Sequence, residues 1–344
     1  MNSNLKLVTI ILPIRNEEAT ITLTLRSIVE QDYPHHLLEV ILVDGMSEDE
    51  TIQKALLVLA DDPSLAVQVI DNTMRIVPTG LNSALRLAKG DIIIRVDGHT
   101  TLAPDYVSQC VFALRETDAS NVGGKMNAVG ITPFGKTVAA ATSSPFGIGN
   151  ARFHYSCEEE WVDTVYMGCW PKKVFYDIGL FDEELVRDQD DEFNYRLRKM
   201  GGKILLNQEI HSEYFVRSKP NLLWKQYFQY GFWKVRVLQK HPKQMSLRQF
   251  VPPAFVLSII ISLVLSVVVS WGWIPLIVIF GLYLKVNLFF SLSIALKKGW
   301  QLLGLLPVAF TIIHISYGSG FLAGLFKFAN RWNDKTGKVP PWHL

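Results

Sequence analysis

Four short stretches of this chain hold side chains that could do chemistry together. The first is Asp97-Gly98-His99, directly after an apolar run. A carboxylate past a buried strand, with an imidazole two residues on, can hold a divalent cation against a diphosphate; the bland reading is a turn cap before Thr100. The second is Asp44, followed by Ser47, Glu48 and Asp49. Ser47 or Asp49 suits a helix N-cap. Asp44 precedes the cap, and its carboxylate can accept the imide N–H of a uracil ring. The third is the acidic run 182–192, in which Asp190 precedes Phe193, Leu197 and Met200 at helical spacing. Backbone N–H groups at a helix start favour an ionised carboxylate, acidic neighbours oppose it, and such a group suits general-base work on a hydroxyl. A solvated acidic first turn is the plainer alternative. The fourth is Arg15-Asn16-Glu17-Glu18, a poor capping box, with Arg75 further on as a loop cation able to meet a phosphate.

The elements that must position these residues alternate in type. Residues 7–14, 40–43 and 92–96 are short runs rich in Ile and Val, the pattern of buried strands, and 66–70 reads as a further strand. Between them, helical periodicity covers a stretch from Glu17, then 49–60 and 80–87. Alternating strands and helices predict an α/β, doubly wound and mostly parallel sheet. Ligands of such sheets sit beyond the carboxyl ends of the strands, where Asp44 and Asp97 fall.

The second half differs in composition. The chain has 344 residues, 49% of them hydrophobic, yet 249–284 carries no charged side chain. That length is enough to cross a hydrocarbon core of ~30 Å once with residues to spare, or twice with a tight turn. Ser270-Trp271-Gly272-Trp273-Ile274-Pro275 supplies the turn, and spans are predicted near 252–271 and 275–296. Lys285 falls in the second, where it requires protein, water or a headgroup beside it. A third apolar stretch, 302–325, is Gly-rich and carries Pro307, His314 and Tyr317; it either spans or bends back as a re-entrant segment. Before the spans, eight Lys or Arg and no Asp or Glu lie between Tyr214 and Phe250, interleaved with aromatic residues. This is the composition of a segment lying on an anionic membrane surface, and the positive-inside rule then places the preceding domain in the cytoplasm. Beside a span, the same pattern does not indicate nucleic acid. Three widely spaced cysteines, Cys110, Cys157 and Cys169, form neither a metal nor a redox motif, and 7–14 is too short for a secretory signal.

Read in order, Pro13 with Asn16-Glu17, Val-Asp44-Gly, Gly80-Leu-Asn82-Ser-Ala84, Val-Asp97-Gly-His99, Gly168-Cys169-Trp170, Gly179-Leu-Phe181-Asp182-Glu183 and Gln189-Asp190-Asp191-Glu192 with Arg196 resemble family 2 glycosyltransferases of the GT-A fold, especially the succinoglycan-type exopolysaccharide branch. The resemblance covers roughly residues 6–240. It implies a nucleotide-sugar-binding domain over 1–215, a basic interfacial segment over 216–250 and an α-helical membrane region over 251–344. It implies Asp190 as catalytic base, Asp44 on the nucleobase, Glu17 near the nucleoside, Gly168 where the donor sugar and acceptor meet, and Asp97 with His99 on Mg²⁺ or Mn²⁺; Arg75, read above as a phosphate contact, and Asn82 are counted as substrate-binding. Gln226 and Trp233, just before the spans, join the substrate-binding set. His99 stands where the family's metal motif ends in Asp, and Gln189 replaces Glu before the base. Gln229-Tyr230-Gly231-Phe232-Trp233 lacks the Arg of the processive synthases, so single-sugar transfer is expected. The implied partners are a nucleotide sugar, UDP-linked by preference, a lipid-linked saccharide acceptor and the inner membrane, crossed more than once with the catalytic domain cytoplasmic. A polyprenyl-phosphate acceptor and a non-catalytic nucleotide-sugar-binding component are the two alternatives. A dinucleotide-binding protein is disfavoured because no GxGxxG follows the first strand.

Overall fold

The computed structural model describes residues 5–149 and 151–342. Two compact units emerge. One comprises the chain up to Asn127, Arg152–Phe215 and the tail from Gly337; the other comprises Ala128–Ala151 and Val216–Thr336.

The first unit is built on a mixed sheet. Strands β1 (Val8–Ile14), β2 (Leu38–Asp44), β3 (Ala66–Asp71) and β4 (Ile92–Arg95) are parallel in the order β3-β2-β1-β4. The continuous apolar sequence of β1 and β2 follows from this placement. Val8, Ile10, Leu12, Val40, Leu42 and Ile94 face one core; Ile11, Ile41, Val43 and Ile93 face the other. Helices α1 (Ile21–Val29), α2 (Thr51–Ala60) and α4 (Tyr106–Glu116) cover the first face, and α3 (Val77–Leu87) covers the second. The sheet continues from β4 into β8 (Cys169–Pro171), β6 (Asn121–Val129), β9 (Ile204–Phe215) and β5 (Thr100–Leu102), with β7 (Glu160–Trp161) on β9. The chain runs outward from β1 to β3 and then crosses to β4 on the other side of β1. That reversal opens a crevice at the carboxyl ends of β1 and β4. Helices α7 (Lys173–Ile178) and α8 (Gln189–Lys199) pack on the α3 face through Phe175, Phe193 and Leu197 around the buried Trp170.

The tail returns to this unit. Lys338 N–H donates to Asp182 Oδ1 at 2.8 Å, Glu183 N–H to the Lys338 carbonyl at 2.9 Å, and Leu180 N–H to the Pro340 carbonyl at 3.1 Å. The Trp342 ring packs at a tilt against Tyr176, with ring centroids 4.5 Å apart.

The second unit holds α5 (Pro133–Thr142), the single turn α6 (Pro145–Ile148), α9 (Pro220–Lys240), α10 (Val251–Val268), α11 (Trp273–Lys298) and α12 (Leu306–Lys327). Three apolar helices, Leu247–Val268, Trp273–Lys298 and Leu306–Lys327, are long enough to cross a membrane. The turn expected between the first two lies at 269–272. The third stretch is one unbroken helix, α12, and does not bend back on itself.

The basic segment departs from a helix lying free on a surface. Lys234, Arg236 and Lys240 are buried. Arg236 donates to the Asp334 carbonyl at 2.8 Å and pairs with its carboxylate at 3.2 Å. The reason is packing: Gly231 of α9 and Gly320 and Gly324 of α12 let the two backbones meet. A Cβ at Gly320 would stand 2.0 Å from the Phe228 carbonyl oxygen, and one at Gly231 2.0 Å from that of Tyr317. Small residues permit such close helix crossings.

Candidate active site

Left-handed backbone marks the rim of the crevice. Asn16 after β1, Met46 after β2, Arg75 after β3, Met167 before β8 and Asp188 before α8 have φ between 54° and 61°. These are the non-glycine residues with positive φ among those described. Each costs of order 1–3 kcal/mol and persists where surrounding structure holds a loop in place. Asn16 is held by reciprocal bonds: its N–H donates to Ser47 Oγ at 3.0 Å, and its side-chain oxygen accepts from Glu48 N–H at 2.9 Å.

At the end of β4, Asp97 lies beside Arg95. The Arg95 Nε and Nη2 both donate to Asp97 Oδ1, at 3.0 and 2.9 Å. The other guanidinium nitrogen, Nη1, is buried without a hydrogen-bond partner and points its charge at Asp190 Oδ2, 3.6 Å away. One buried guanidinium thus links the carboxylate after β4 to the carboxylate in the first turn of α8. Burial alone would raise the Asp97 carboxyl; Arg95, then His99, and hydrogen bonds from Arg95 and Tyr166 outweigh it and hold the group below the usual carboxylate range. The Tyr166 phenol is itself pushed well up, first by burial and then by the Asp97 charge, so it stays a neutral donor. Asp190 is 43% exposed against 15% for Asp97. The inner carboxylate is fixed and charged; the outer one is open to an incoming group.

Asp97-Gly98-His99 is tied to α1. The Gly98 carbonyl accepts from the hydroxyls of Thr20 and Thr24 at 3.0 and 3.1 Å, and a Cβ at Gly98 would meet Ile14 at 2.9 Å. His99 Nδ1 lies 3.0 Å from Glu17 Oε1, and its ring meets Tyr214 edge-on at 5.1 Å. A carboxylate on Nδ1 fixes the tautomer and leaves Nε2 as the ligating nitrogen, the usual support for a metal-binding histidine. Among the described residues no three His, Cys, Asp or Glu side chains converge as a complete metal site. Asp97 and His99 offer one oxygen and one nitrogen donor, a pair whose chemistry suits a divalent cation that takes its remaining ligands from elsewhere.

Other expected site residues sit differently from their reading in the sequence. Glu17 engages His99 and Thr20, with Thr20 Oγ1 3.4 Å from Oε2, rather than projecting toward a nucleoside. Asn82 is a buried clamp: it donates to the Phe181 carbonyl at 2.9 Å and to Glu183 at 3.0 Å, and accepts from Phe181 N–H at 2.9 Å. Its amide is spent on the loop before α8, which removes it from the substrate-contact set. Asp44, 6% exposed, accepts from the Ser47 hydroxyl at 2.6 Å and from Ser47 N–H at 3.1 Å. It braces its own loop, and a carboxylate's four acceptor positions leave room for one further donor. Arg75 is half exposed, 3.6 Å from Glu48, on the loop whose Asn72 N–H bonds the Asp44 carbonyl. Gly168 has φ 101°, a Cβ there would stand 2.4 Å from Trp170, and its carbonyl accepts from Arg95 N–H at 3.1 Å. Gln226 and Trp233 belong to α9 in the second unit. Gln226 donates to the Tyr230 hydroxyl at 3.1 Å, and the Trp233 ring packs on Phe328 at 5.6 Å.

Two residues of this site were missed in the sequence, Arg95 and Tyr166. The signal for Arg95 was present: it is the one charged residue in the run 92–96, and a charge inside a buried strand needs a partner. Arg196, by contrast, is structural. It pairs with Glu192 at 2.7 Å and donates to the Leu180 carbonyl at 2.7 Å, fastening the loop to α8.

Known proteins of similar sequence and shape bear on this arrangement. The profile of Glycosyl transferase family 2 matches residues 9–175. The succinoglycan biosynthesis protein ExoA of Rhizobium meliloti is 29% identical over 324 residues, covering 94% of this chain and 96% of that protein. The dolichyl N-acetyl-alpha-D-glucosaminyl phosphate 3-beta-D-2,3-diacetamido-2,3-dideoxy-beta-D-glucuronosyltransferase of Methanococcus voltae is 26% identical over 326 residues, 93% of this chain and 97% of that one. Among solved structures, a mannosyltransferase of Pyrobaculum calidifontis in complex with GDP-Man and Mn²⁺ superposes with a TM-score of 0.63 at 17% identity, covering 94% of this chain and 88% of that one. At that identity the likeness establishes the fold.

Proposed function

We propose that this chain, whose residues 9–175 match the family 2 glycosyltransferase profile, is a glycosyltransferase that moves one sugar from a nucleotide sugar to a lipid-linked saccharide with inversion. The observation that carries the reading is the pair of unequal carboxylates on one buried guanidinium, Asp97 within and Asp190 without. Asp190, half open and at a helix N-terminus, takes the proton from an acceptor hydroxyl, and that oxygen attacks the anomeric carbon from the face opposite the leaving nucleotide. One displacement inverts the centre, so an α-linked donor gives a β-linkage. Asp97 and His99 would hold a divalent cation, Mn²⁺ or Mg²⁺, which when bound neutralises charge on the departing diphosphate. Asp44 keeps acceptor capacity for an N–H of the nucleobase, and a UDP-sugar is the donor proposed. Arg75 supports a phosphate contact, and Gly168 lets substrate approach the backbone between β4 and β8.

The names of the two relatives, one in succinoglycan biosynthesis and one acting on a dolichyl phosphate, support an exopolysaccharide or lipid-linked precursor as acceptor. Phe232 in place of the synthases' Arg supports release after a single transfer. The excess of Lys and Arg over 214–250 supports a catalytic domain on the cytoplasmic face of the inner membrane.

The test uses detergent-solubilised protein, a panel of UDP- and GDP-sugars with Mn²⁺, and a lipid extract as acceptor, reading nucleoside diphosphate release. Transfer from a UDP-sugar is expected. Asp190→Asn is expected to lower it by about 10²–10⁴-fold while donor affinity holds, the scale of a lost general base. Near-normal turnover of that variant would remove Asp190 from the role.

A further inference from the structure

Among the described residues three helices are long and apolar enough to span, and an odd number of crossings would leave the residues after them on the far side from the first unit. The end, however, is bonded to the first unit: Lys338 and Pro340 pair with Asp182, Glu183 and Leu180. A chain that leaves this unit at 216 and rejoins it at 337 crosses a bilayer an even number of times.

The packing says which helix stays behind. Phe255 stacks on Tyr283 at 4.5 Å, which sets α10 and α11 side by side as a hairpin with 252 level with about 286. Along α12, the Pro307 carbonyl accepts from Asn287 at 3.1 Å. Eleven residues later, a Cβ at Gly318 would stand 2.5 Å from the Pro252 carbonyl oxygen, and Phe321 meets Phe250 at 5.8 Å. Over those eleven residues α12 advances about 16 Å along its own axis, yet its contacts remain at one level of the hairpin. A spanning helix would instead descend toward the turn at 269–272. The far half of α12 packs on α9, which carries Lys225, Lys234 and Arg236, charges that do not belong at mid-bilayer. α12 is far more buried in protein than α10 or α11.

We infer that α10 and α11 alone cross the membrane, and that α12 lies in the plane of the interface on the catalytic side. Its bonded surface faces α9 and the hairpin mouth; Val308 and Phe326, 47% and 88% exposed, supply apolar side chains for the headgroup–acyl boundary. The same level explains Lys285. It stands two residues beyond Tyr283 toward the hairpin mouth, where an ammonium reaches headgroups. His314 is explained as well: its Nε2 meets the Phe146 carbonyl at 2.8 Å and its Nδ1 the Tyr283 hydroxyl at 3.0 Å, so it serves as a polar brace between α6, α11 and α12.

The test is impermeant-maleimide labelling of the full chain in sealed vesicles of both orientations. Cys157, exposed, is replaced by Ser; Cys110 and Cys169 are buried. Single cysteines are introduced as Trp271→Cys in the hairpin turn, Gln301→Cys before α12 and Lys335→Cys after it. The expected result is that Gln301→Cys and Lys335→Cys label from one side and Trp271→Cys from the other. Labelling of Lys335→Cys together with Trp271→Cys would show α12 crossing and overturn the inference. Labelling of Trp271→Cys together with Gln301→Cys would overturn it by showing no hairpin crossing. A C-terminal epitope tag, scored for protease protection in the same vesicles, reads the side of the tail independently of how well Lys335→Cys reacts. Neither readout depends on catalysis.

Discussion

Replacing Arg95 by Met, close in length and without charge, strands the Asp97 carboxylate. Two donors at 2.9–3.0 Å are lost, along with the charge 3.6 Å from Asp190. Breaking a buried ion pair from one side costs about 3–5 kcal/mol. Asp97 retains the Tyr166 hydrogen bond and is 15% open, so about 2–3 kcal/mol is expected here. For a domain of this size each kcal/mol is worth roughly 2–4 °C, which gives a fall of about 5–10 °C in Tm. Asp97→Asn added to Arg95→Met is expected to recover part of that loss, since no unpaired charge remains; the two sites couple rather than add. The pH dependence should reverse. In the native chain the Asp97 carboxyl is depressed, so its stabilising contribution is present above the unfolded value near ~3.9 and fades only as pH falls through the lower folded value. Without Arg95, burial raises the carboxyl, and the penalty at neutral pH is relieved on acidification. Thermal unfolding in detergent with EDTA, from pH 7 to pH 5, should therefore show Arg95→Met gaining Tm relative to the native chain as pH falls. A Tm within 1–2 °C of native at pH 7, roughly the shift of half a kcal/mol, together with parallel pH profiles, would refute the linkage of the two carboxylates.

Two further outcomes follow from the same geometry. Glu17→Gln leaves His99 without its charged partner and is expected to weaken Mn²⁺-dependent donor binding by about 10–100-fold; titration calorimetry with and without EDTA measures it, and unchanged affinity would remove His99 from the cation. Asn82→Ala strands the Phe181 N–H and carbonyl, for a loss of about 2–4 kcal/mol in thermal unfolding with KM for donor unchanged; a raised KM at native Tm would restore Asn82 to substrate contact.

What was legible in the sequence was whatever one local pattern determines. The strands ending at Ile14 and Asp44 read as unbroken Ile, Leu and Val because parallel strands are covered on both faces, and no surface strand keeps that composition. The start of α8 was legible from Phe193 and Leu197 after an acidic turn. What escaped depends on partners far along the chain. Asn82 and Arg196 carry ordinary polar side chains, and only the fold reveals that both close on the loop at 178–183. The excursion 128–151 leaves β6 for the company of the C-terminal helices, and the tail at 337–342 returns to the loop at 180–183; neither has a period to announce it. Arg95 was visible as an anomaly but not as a link, because its two partners lie two and ninety-five positions away.

The third apolar stretch shows most sharply where composition stops. Hydropathy measures aversion to water, and a helix apolar all round satisfies it equally in lipid or against other helices. In α12 the deciding residues are glycines. Gly318 admits the Pro252 carbonyl, Gly320 that of Phe228 and Gly324 that of Phe232. Read along the sequence they look like the loosening of a span. Placed on the helix, Gly320 and Gly324 are one turn apart and form a groove for α9, with Gly231 receiving the Tyr317 carbonyl in return. A side chain larger than hydrogen at Gly320 must displace backbone, not a mobile side chain, so the contact admits no gradual compromise. Glycine spacing therefore commits α12 to a protein neighbour that carries Lys234 and Arg236, and that neighbour, more than hydropathy, fixes how deep the helix can lie.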